Sequence, residues 1–478
     1  MQAALHFLKS DVSFVNGVFR QNSLKTHIFA FSDSKVTIEK ARFEQNNAVS
    51  LLYQDESSTA TIKGSEVIEN AGGLMTGGQK AVAKFIESKV VKGNSQGFLF
   101  SYTDAHLTIA DCEITESSLA GVTYQNSTLD HSLRVSNLKI LDIQTTNPLF
   151  SMNGGRADIA GMKVKKIGSE SDVLVLYHQD GAETTLLDSK FTKMKASLDV
   201  ATSVTVINGT SVTFNRLKFT KNDVCGALFT KAPVDVMNSI FENNHCSPPG
   251  NMQPLAVLSG SFVERFTLRN TSFFHNVALT GSFFVANGTA TVLDSSFDSN
   301  IAAQGAAIFA SGTDVQVKNT VFRNNSALTM GGALSLSEGD GDIRDSLFER
   351  NRSPEGGAVF IVHGKRIVLS NVNSSANYAD NGTFIFADGY QSLAIKSMRE
   401  DDPIESSIWA VGDGPVEFGD VLFNCRVKCK GVGGRGWKKY VVCEVAFGLG
   451  VGFGVLRHVW KSRRHRMLLP GAFREKVK

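Results

Sequence analysis

Residues 290–309 read ATVLDSSFDSNIAAQGAAIF, and residues 315–336 read VQVKNTVFRNNSALTMGGALSL. The two stretches share one design. An alternating apolar pair (Ala290/Val292, Val315/Val317) precedes a phenylalanine by five residues (Phe297, Phe322), and an asparagine follows three later (Asn300, Asn325). A glycine bend and a second apolar run close the unit: Gly305 before Ala306–Phe309, and Gly331-Gly332 before Ala333-Leu334. Alternation with period two marks a strand with one buried face. Glycine permits the positive φ of a sharp bend.

Working outward, the F-x-x-N unit recurs at Phe19/Asn22, Phe43/Asn46, Phe219/Asn222, Phe241/Asn244, Phe273/Asn276 and Phe348/Asn351. Weaker copies fill the intervals: Val67/Asn70, Val91/Asn94, Ile114, Ile140, Val164, Phe191, Val372, Met398 and Phe423. The 17 anchors span 404 residues, about 25 per step, and only the step from Phe241 to Phe273 is notably long. The residues five before the anchors test this register: Phe14, Ile38, Ile62, Ile86, Ile109, Val135, Ile159, Leu186, Phe214, Val236, Leu268, Val292, Val317, Ile343, Ile367, Leu393 and Phe418. All 17 are apolar, in a chain that is 42% hydrophobic.

A coil of this length with two or three short strands winds once around an axis, and the next coil stacks on it with parallel pairing. The fold class expected is all-β: a single-stranded right-handed parallel β-helix, a solenoid of about 17 coils over residues 1–424, followed by a short non-repeat basic segment 425–478. At about 4.8 Å per coil the rod is roughly 80 Å long. The phenylalanines should stack. Asn22, Asn46, Asn70, Asn94, Asn222, Asn244, Asn276, Asn300, Asn325 and Asn351 should form a turn ladder, tolerating the left-handed region and bonding locally or to one another. Leucine-rich repeats need an L-x-x-L-x-L run that is absent, and propeller blades need about 40 residues.

The 478 residues escape the usual several-domain prior because solenoids grow along one axis. Formal net charge is +3. From Arg426 on there are 14 basic and 2 acidic residues, which leaves 35 basic and 44 acidic before it. An acidic body argues against nucleic acid along the main surface. The 6 cysteines are too few for a disulfide scaffold. Cys225 and Cys246 lie about one repeat apart, which leaves open a bridge between adjacent coils, suited to an oxidising compartment, or two buried thiols. Cys425 and Cys429 lack the second ligand pair of a zinc site.

The G-G-A-[LVI] and F-x-x-N alternation resembles the repeats of polymorphic outer membrane proteins and is similar to the broader pectin-lyase-like class of right-handed β-helix proteins. The best copies lie between Phe219 and Ala387. The resemblance implies a surface-displayed or secreted β-helix, often adhesive, and carries over no functional residue. The bacterial proteins of that type end in a membrane β-barrel, and no comparable run of barrel strands follows the repeats here.

Clustered chemistry is sparse. Hydrolases of this class gather aspartates from neighbouring coils, because one carboxyl must donate a proton while another activates water or attacks. The adjacent pair Asp401-Asp402 sits in a charged stretch beside Pro403 and reads as a solvated loop. The segment Gly364-Lys365-Arg366-Ile367 resembles a polygalacturonase motif but is expected to have no aspartate cluster one coil away. His245 and His275 could stack on nearby coils as metal ligands, although turn histidines on the surface are commoner. Glu338-Gly339-Asp340-Gly341-Asp342 has D-x-D spacing but lacks the oxygen ligands of a calcium loop and reads as a turn. Gly448, Gly450, Gly452 and Gly454 do not fit a nucleotide-binding glycine pattern. No catalytic residue, metal or cofactor is expected.

Eight N-x-[ST] sequons occur, at Asn126, Asn208, Asn270, Asn287, Asn324, Asn351, Asn373 and Asn381. Composition alone gives roughly five, so the excess leans toward a secretory route. Asn351, and with it Asn324, belongs to the turn-ladder region and risks being inaccessible. Ala3 to Leu8 is too short for a signal peptide, and a first coil without a cap suggests a longer parent chain. Val441 to Leu456 is mostly apolar and is followed by Arg457, Lys461, Arg463, Arg464 and Arg466, which makes 440–456 a candidate membrane span. The function expected is a non-catalytic surface or secreted rod for adhesion, contacting glycans or cell-surface proteins, with no nucleic acid; the C-terminal segment is open to three readings, a membrane span, a basic disordered tail or a stretch that is not native coding sequence. The alternatives are a polysaccharide lyase or glycoside hydrolase, and a structural spacer in a larger surface protein.

Overall fold

The computed structural model describes residues 3–423 except 56, 127–130, 182, 197–201, 225, 246–255, 401–406, 413 and 420. Every element named among the described residues is a β-strand, and the strands pair in parallel. The coils are built on three faces, with some strands fused across two of them, as in Phe283–Leu293, and with Ile301–Gln304 and Ser326–Met330 paired as a separate two-stranded sheet. First strands begin with Asp11–Val15, Lys35–Glu39 and Thr59–Lys63 and end with Val416–Phe418. Second strands begin with Val18–Arg20 and Arg42–Glu44 and end with Val421–Phe423. Third strands begin with Ala3–Leu8, His27–Ser32 and Asn47–Gln54 and end with Ile408–Val411. The right-handed solenoid has about 15 turns. The sequence period gives 17, slightly more.

The expected apolar column exists. Ile38 stacks on Phe14, then Ile62, Ile109, Val135, Ile159, Leu186, Phe214, Val236, Leu268, Val292, Val317 and Ile343 follow in register. Three members are misplaced. Phe85, not Ile86, opposes Ile62 and Ile109. Leu369 and Ile395, not Ile367 and Leu393, continue the column after Ile343. The cause is unequal coil length. The anchors slip with them: Val90 replaces Val91, and Ser374 and Glu400 replace Val372 and Met398.

The phenylalanines stack as expected. Phe191, Phe219, Phe241, Phe273, Phe297, Phe322 and Phe348 follow one another with ring centroids 4.5 to 5.4 Å apart and nearly parallel planes.

The asparagine ladder is real but differs in three ways. Asn222, Asn244, Asn276, Asn300, Asn325 and Asn351 bond side chain to side chain at 3.0 Å, each Nδ2 donating to the next Oδ1. Asn22, Asn46 and Asn70 form a second run at 2.8 Å. Asn94 is not a member: Gly93 holds that place, Asn94 faces solvent, and Ser117 caps the Gly93 N–H at 3.0 Å. The column then turns apolar through Ile143, Ile167 and Met194, all buried. Asn377, not foreseen, ends the main run by accepting from Asn351. The left-handed residue is the one before each asparagine, such as Gln21, Gln45 and His275, so the asparagine serves as a cap and not as the αL residue. Glycine does take the left-handed conformation at Gly305, Gly331, Gly356 and Gly382.

Candidate functional site

The charged residues near Gly364–Ile367 lie in turns and ion pairs. Gly364–Ile367 does have aspartates one coil away, contrary to expectation: Gly341 pairs with Ile367, and the Arg366 N–H donates to Asp340 at 3.0 Å. Asp314 and Asp340 thus lie on neighbouring rungs, with Asp342 two residues further along the strand. They are already engaged: Asp314 accepts from the Asp340 N–H at 3.0 Å, Arg344 grips Asp342 at 2.7 Å, and Arg366 lies 3.6 Å from Asp340. His245 bridges to Val277, two residues beyond His275, so the two histidines are not stacked. Among the described residues no three His, Cys, Asp or Glu side chains gather as a metal site.

Asn126, Asn208, Asn270, Asn287, Asn324 and Asn373 are exposed and Asn381 is half-buried. Asn351 is fully buried, its amide committed to Phe322 O and Asn377, so it cannot be an acceptor for a glycan; Asn324 is exposed beside it. Cys225, Cys246, Asp401, Asp402 and the segment 425–478, including 440–456, lie outside the described residues. No helix among the described residues is long and apolar enough to cross a membrane.

A surface not anticipated runs along the third strands. Their register places Tyr53, Thr76, Ser101, Tyr124, Ser151, Tyr177, Thr205, Phe229, Ser259, Phe284, Phe309, Ser335, Phe360, Phe386 and Trp409 in one column. Its neighbours Gln125, Met152 and His178 point inward and are buried, so the column faces outward. In its C-terminal half several members are covered, although Trp409 at the end is 39% exposed. Ser335, Phe284 and Phe360 are buried, and the glycine bends at Gly305 and Gly331 fold against Ser335. From Tyr53 to Tyr177 no member is fully buried: Tyr124 is 37% exposed and the other five are half-buried.

Beside this open stretch stand Thr103, Asn126, Asn153 and Gln179, again in register. Asn153 donates to Asn126 at 3.1 Å, and Tyr177 Oη donates to Gln179 at 2.9 Å. Flat rings with a polar tip next to amides that both donate and accept suit a partner with apolar and hydroxylated faces. Further along, Glu355 shares a rung with Phe360, and Asp388 shares one with Phe386. Burial, then the charge of Asp388, pushes the Glu355 carboxyl above its ordinary value.

Behind the open face, His178 is buried. Its Nε2 donates to Gly154 O at 2.9 Å and its Nδ1 meets Thr184 Oγ1 at 2.8 Å, so Nε2 carries a proton. Burial lowers its pKa below 6.5, and nearby His131 adds to the effect. The unfolded chain therefore binds the proton first, and stability is lost as pH falls through about 6.5. Thermal melts should show Tm dropping from pH 7.5 to 5.5, and His178→Gln should flatten that slope. An unchanged slope in the variant would contradict the assignment.

Residues 2–140 and 172–374 match the right-handed β-helix region family, so the chain belongs to that family. No curated protein sequence matches it. Among solved structures it is similar to the Family 28 exopolygalacturonase of Yersinia enterocolitica, at 9% identity, over 88% of this chain and 73% of that chain, with a TM-score of 0.17. A likeness at that score carries no argument about activity.

Proposed function

We propose that the chain is a non-catalytic contact rod, secreted or displayed at a cell surface, that holds a glycan along the open part of its third face. The observation that carries this reading is the outward column Tyr53–Thr76–Ser101–Tyr124–Ser151–Tyr177 with its flanking amides. Its open aromatics are the residue types that anchor interfaces. The repeat motifs similar to those of polymorphic outer membrane proteins, and the exposed sequons, support a surface setting. Cell-surface proteins are the other partners such a face could hold.

Binding of the full chain to an array of neutral glycans and to intact cells tests the reading. Tyr124→Ala with Tyr177→Ala should weaken binding at least tenfold, which corresponds to about 1.4 kcal/mol. Undiminished binding in that double variant would overturn the assignment of the face. No binding by the wild type to any glycan or cell would favour a spacer. Glycoside hydrolysis or lysis is the second reading, supported by Asp314 and Asp340 on neighbouring rungs beside Arg366. Release of reducing ends or unsaturated products from a uronate polymer, abolished by Asp340→Asn, would put it first.

A further inference from the structure

In the N-terminal coils, the position just before the anchor alternates in sign through Arg42, Glu66, Lys89, Glu113 and Lys139, and further charge pairs join neighbouring rungs. Arg20 reaches Glu44 at 2.7 Å. Lys89 and Lys139 flank Glu113 at 3.4 and 2.7 Å. Lys166 pairs with Asp142 at 3.1 Å, and Arg323 with Glu349 at 2.8 Å. Opposite charges facing across strands attract, and like charges directly opposite repel.

The alternation ends in a run of one sign, beyond which the column passes through uncharged Ile240 and Ser272. The residue just before the anchor is Lys139, Lys163, Lys190 and Lys218 on four successive rungs, each in register with the next. A parallel column passes through the turn: Lys166, Lys193 and Lys221, all with φ near +57°. Lys165 lies between the columns, and Lys195 lies just beyond. Lys163, Lys165, Lys190, Lys193 and Lys195 are exposed and make no ion pair among the described residues. Lysines held about 4.8 Å apart repel one another, and the left-handed turn adds strain that glycine would avoid. Nothing in the packing of the rod requires these cations; an anion outside it would neutralise them.

We propose that this lysine grid binds a linear polysaccharide bearing carboxylate or sulfate groups, laid along the rod axis. The positive charges recur at the rung spacing, comparable with one sugar of an extended chain. The residues between them, Leu141, Thr192 and Thr220, offer no ring on which a base could stack. The 44 acidic against 35 basic residues before Arg426 repel a long polyanion elsewhere on the body, which confines it to this face. The inference rests on the contact-rod reading but uses a different face from Tyr124 and Tyr177.

The test is binding of the full chain to polygalacturonate, heparin, duplex DNA and phosphatidylserine vesicles over a range of salt. Polygalacturonate and heparin separate carboxylate from sulfate recognition. Lys163→Glu with Lys190→Glu and Lys193→Glu should lose at least tenfold affinity for the bound polysaccharide, and affinity of the wild type should fall with salt. The triple variant relieves repulsion and should melt no lower than the wild type, so a loss of binding is not a loss of fold. A control of equal charge change, Lys35→Glu with Lys40→Glu and Lys80→Glu, should change affinity less than twofold. Equal losses in both triple variants, no binding to either polysaccharide, or tighter binding to DNA or vesicles would overturn the proposal. Binding of neutral glycans by the third face should be the same in wild type and triple variant. Failure of the contact-rod reading therefore shows as lost sensitivity to Tyr124 and Tyr177 with the lysine effect intact.

Discussion

Asn300→Ala should destabilise the central coils by about 2–4 kcal/mol, read from guanidinium unfolding or from hydrogen exchange of the flanking amides. Asn300 is fully buried. Its Oδ1 accepts from the Asn276 backbone N–H at 3.1 Å and from Asn276 Nδ2 at 3.0 Å. Its Nδ2 donates to Phe273 O and to Asn325 Oδ1, both at 3.0 Å. Alanine leaves these buried partners without water to replace the lost bonds, and an orphaned buried polar group costs more than a bond gains. The rod itself shows the escape: Ile143, Ile167 and Met194 fill the same column where neighbouring members are apolar together. A change of less than about 0.5 kcal/mol would mean the ladder is decorative.

Phe297→Ala should cost about 3–5 kcal/mol. The ring is buried between Phe273 at 4.7 Å and Phe322 at 5.3 Å, with planes 3° and 8° from parallel. Neighbouring coils cannot close the gap, because their backbones are fixed by parallel pairing on either side. Phe297→Leu should cost less, since Ile114, Ile140 and Val164 occupy the equivalent place elsewhere. Denaturant melts of the two variants check the ranking, and equal midpoints would contradict it.

The fold was legible because its signal is local and repeated. Phe297, Phe322 and Phe348 need only their own twelve neighbours to reveal strand, turn and strand. What was misread came from step length. Between Val67 and Val90 the coil has 23 residues, and between Phe348 and Ser374 it has 26. A fixed period of about 25 therefore placed Asn94 and Val372 in columns they do not occupy, and hid Asn377. The lysine grid lay in plain view, one residue before Ile140, Val164, Phe191 and Phe219, yet only pairing turns a list of lysines into a column. The third-face aromatics were beyond reach, because loops of unequal length separate them from the anchors. The same is true of Asp340 beside Arg366, whose separation of 26 residues acquires meaning only in register.

Every face described here depends on in-register stacking of successive coils. Disulfide trapping tests it directly. Thr267 and Thr291 are opposed on neighbouring first strands, and parallel neighbours about 4.8 Å apart fall within the Cα separation a disulfide allows. Thr267→Cys with Thr291→Cys should cross-link under mild oxidation, mapped by peptide mass, while Thr267→Cys with Thr289→Cys, two residues out of register, should not. Preferential locking of the second pair would contradict the stacking, and with it the aromatic face and the lysine grid.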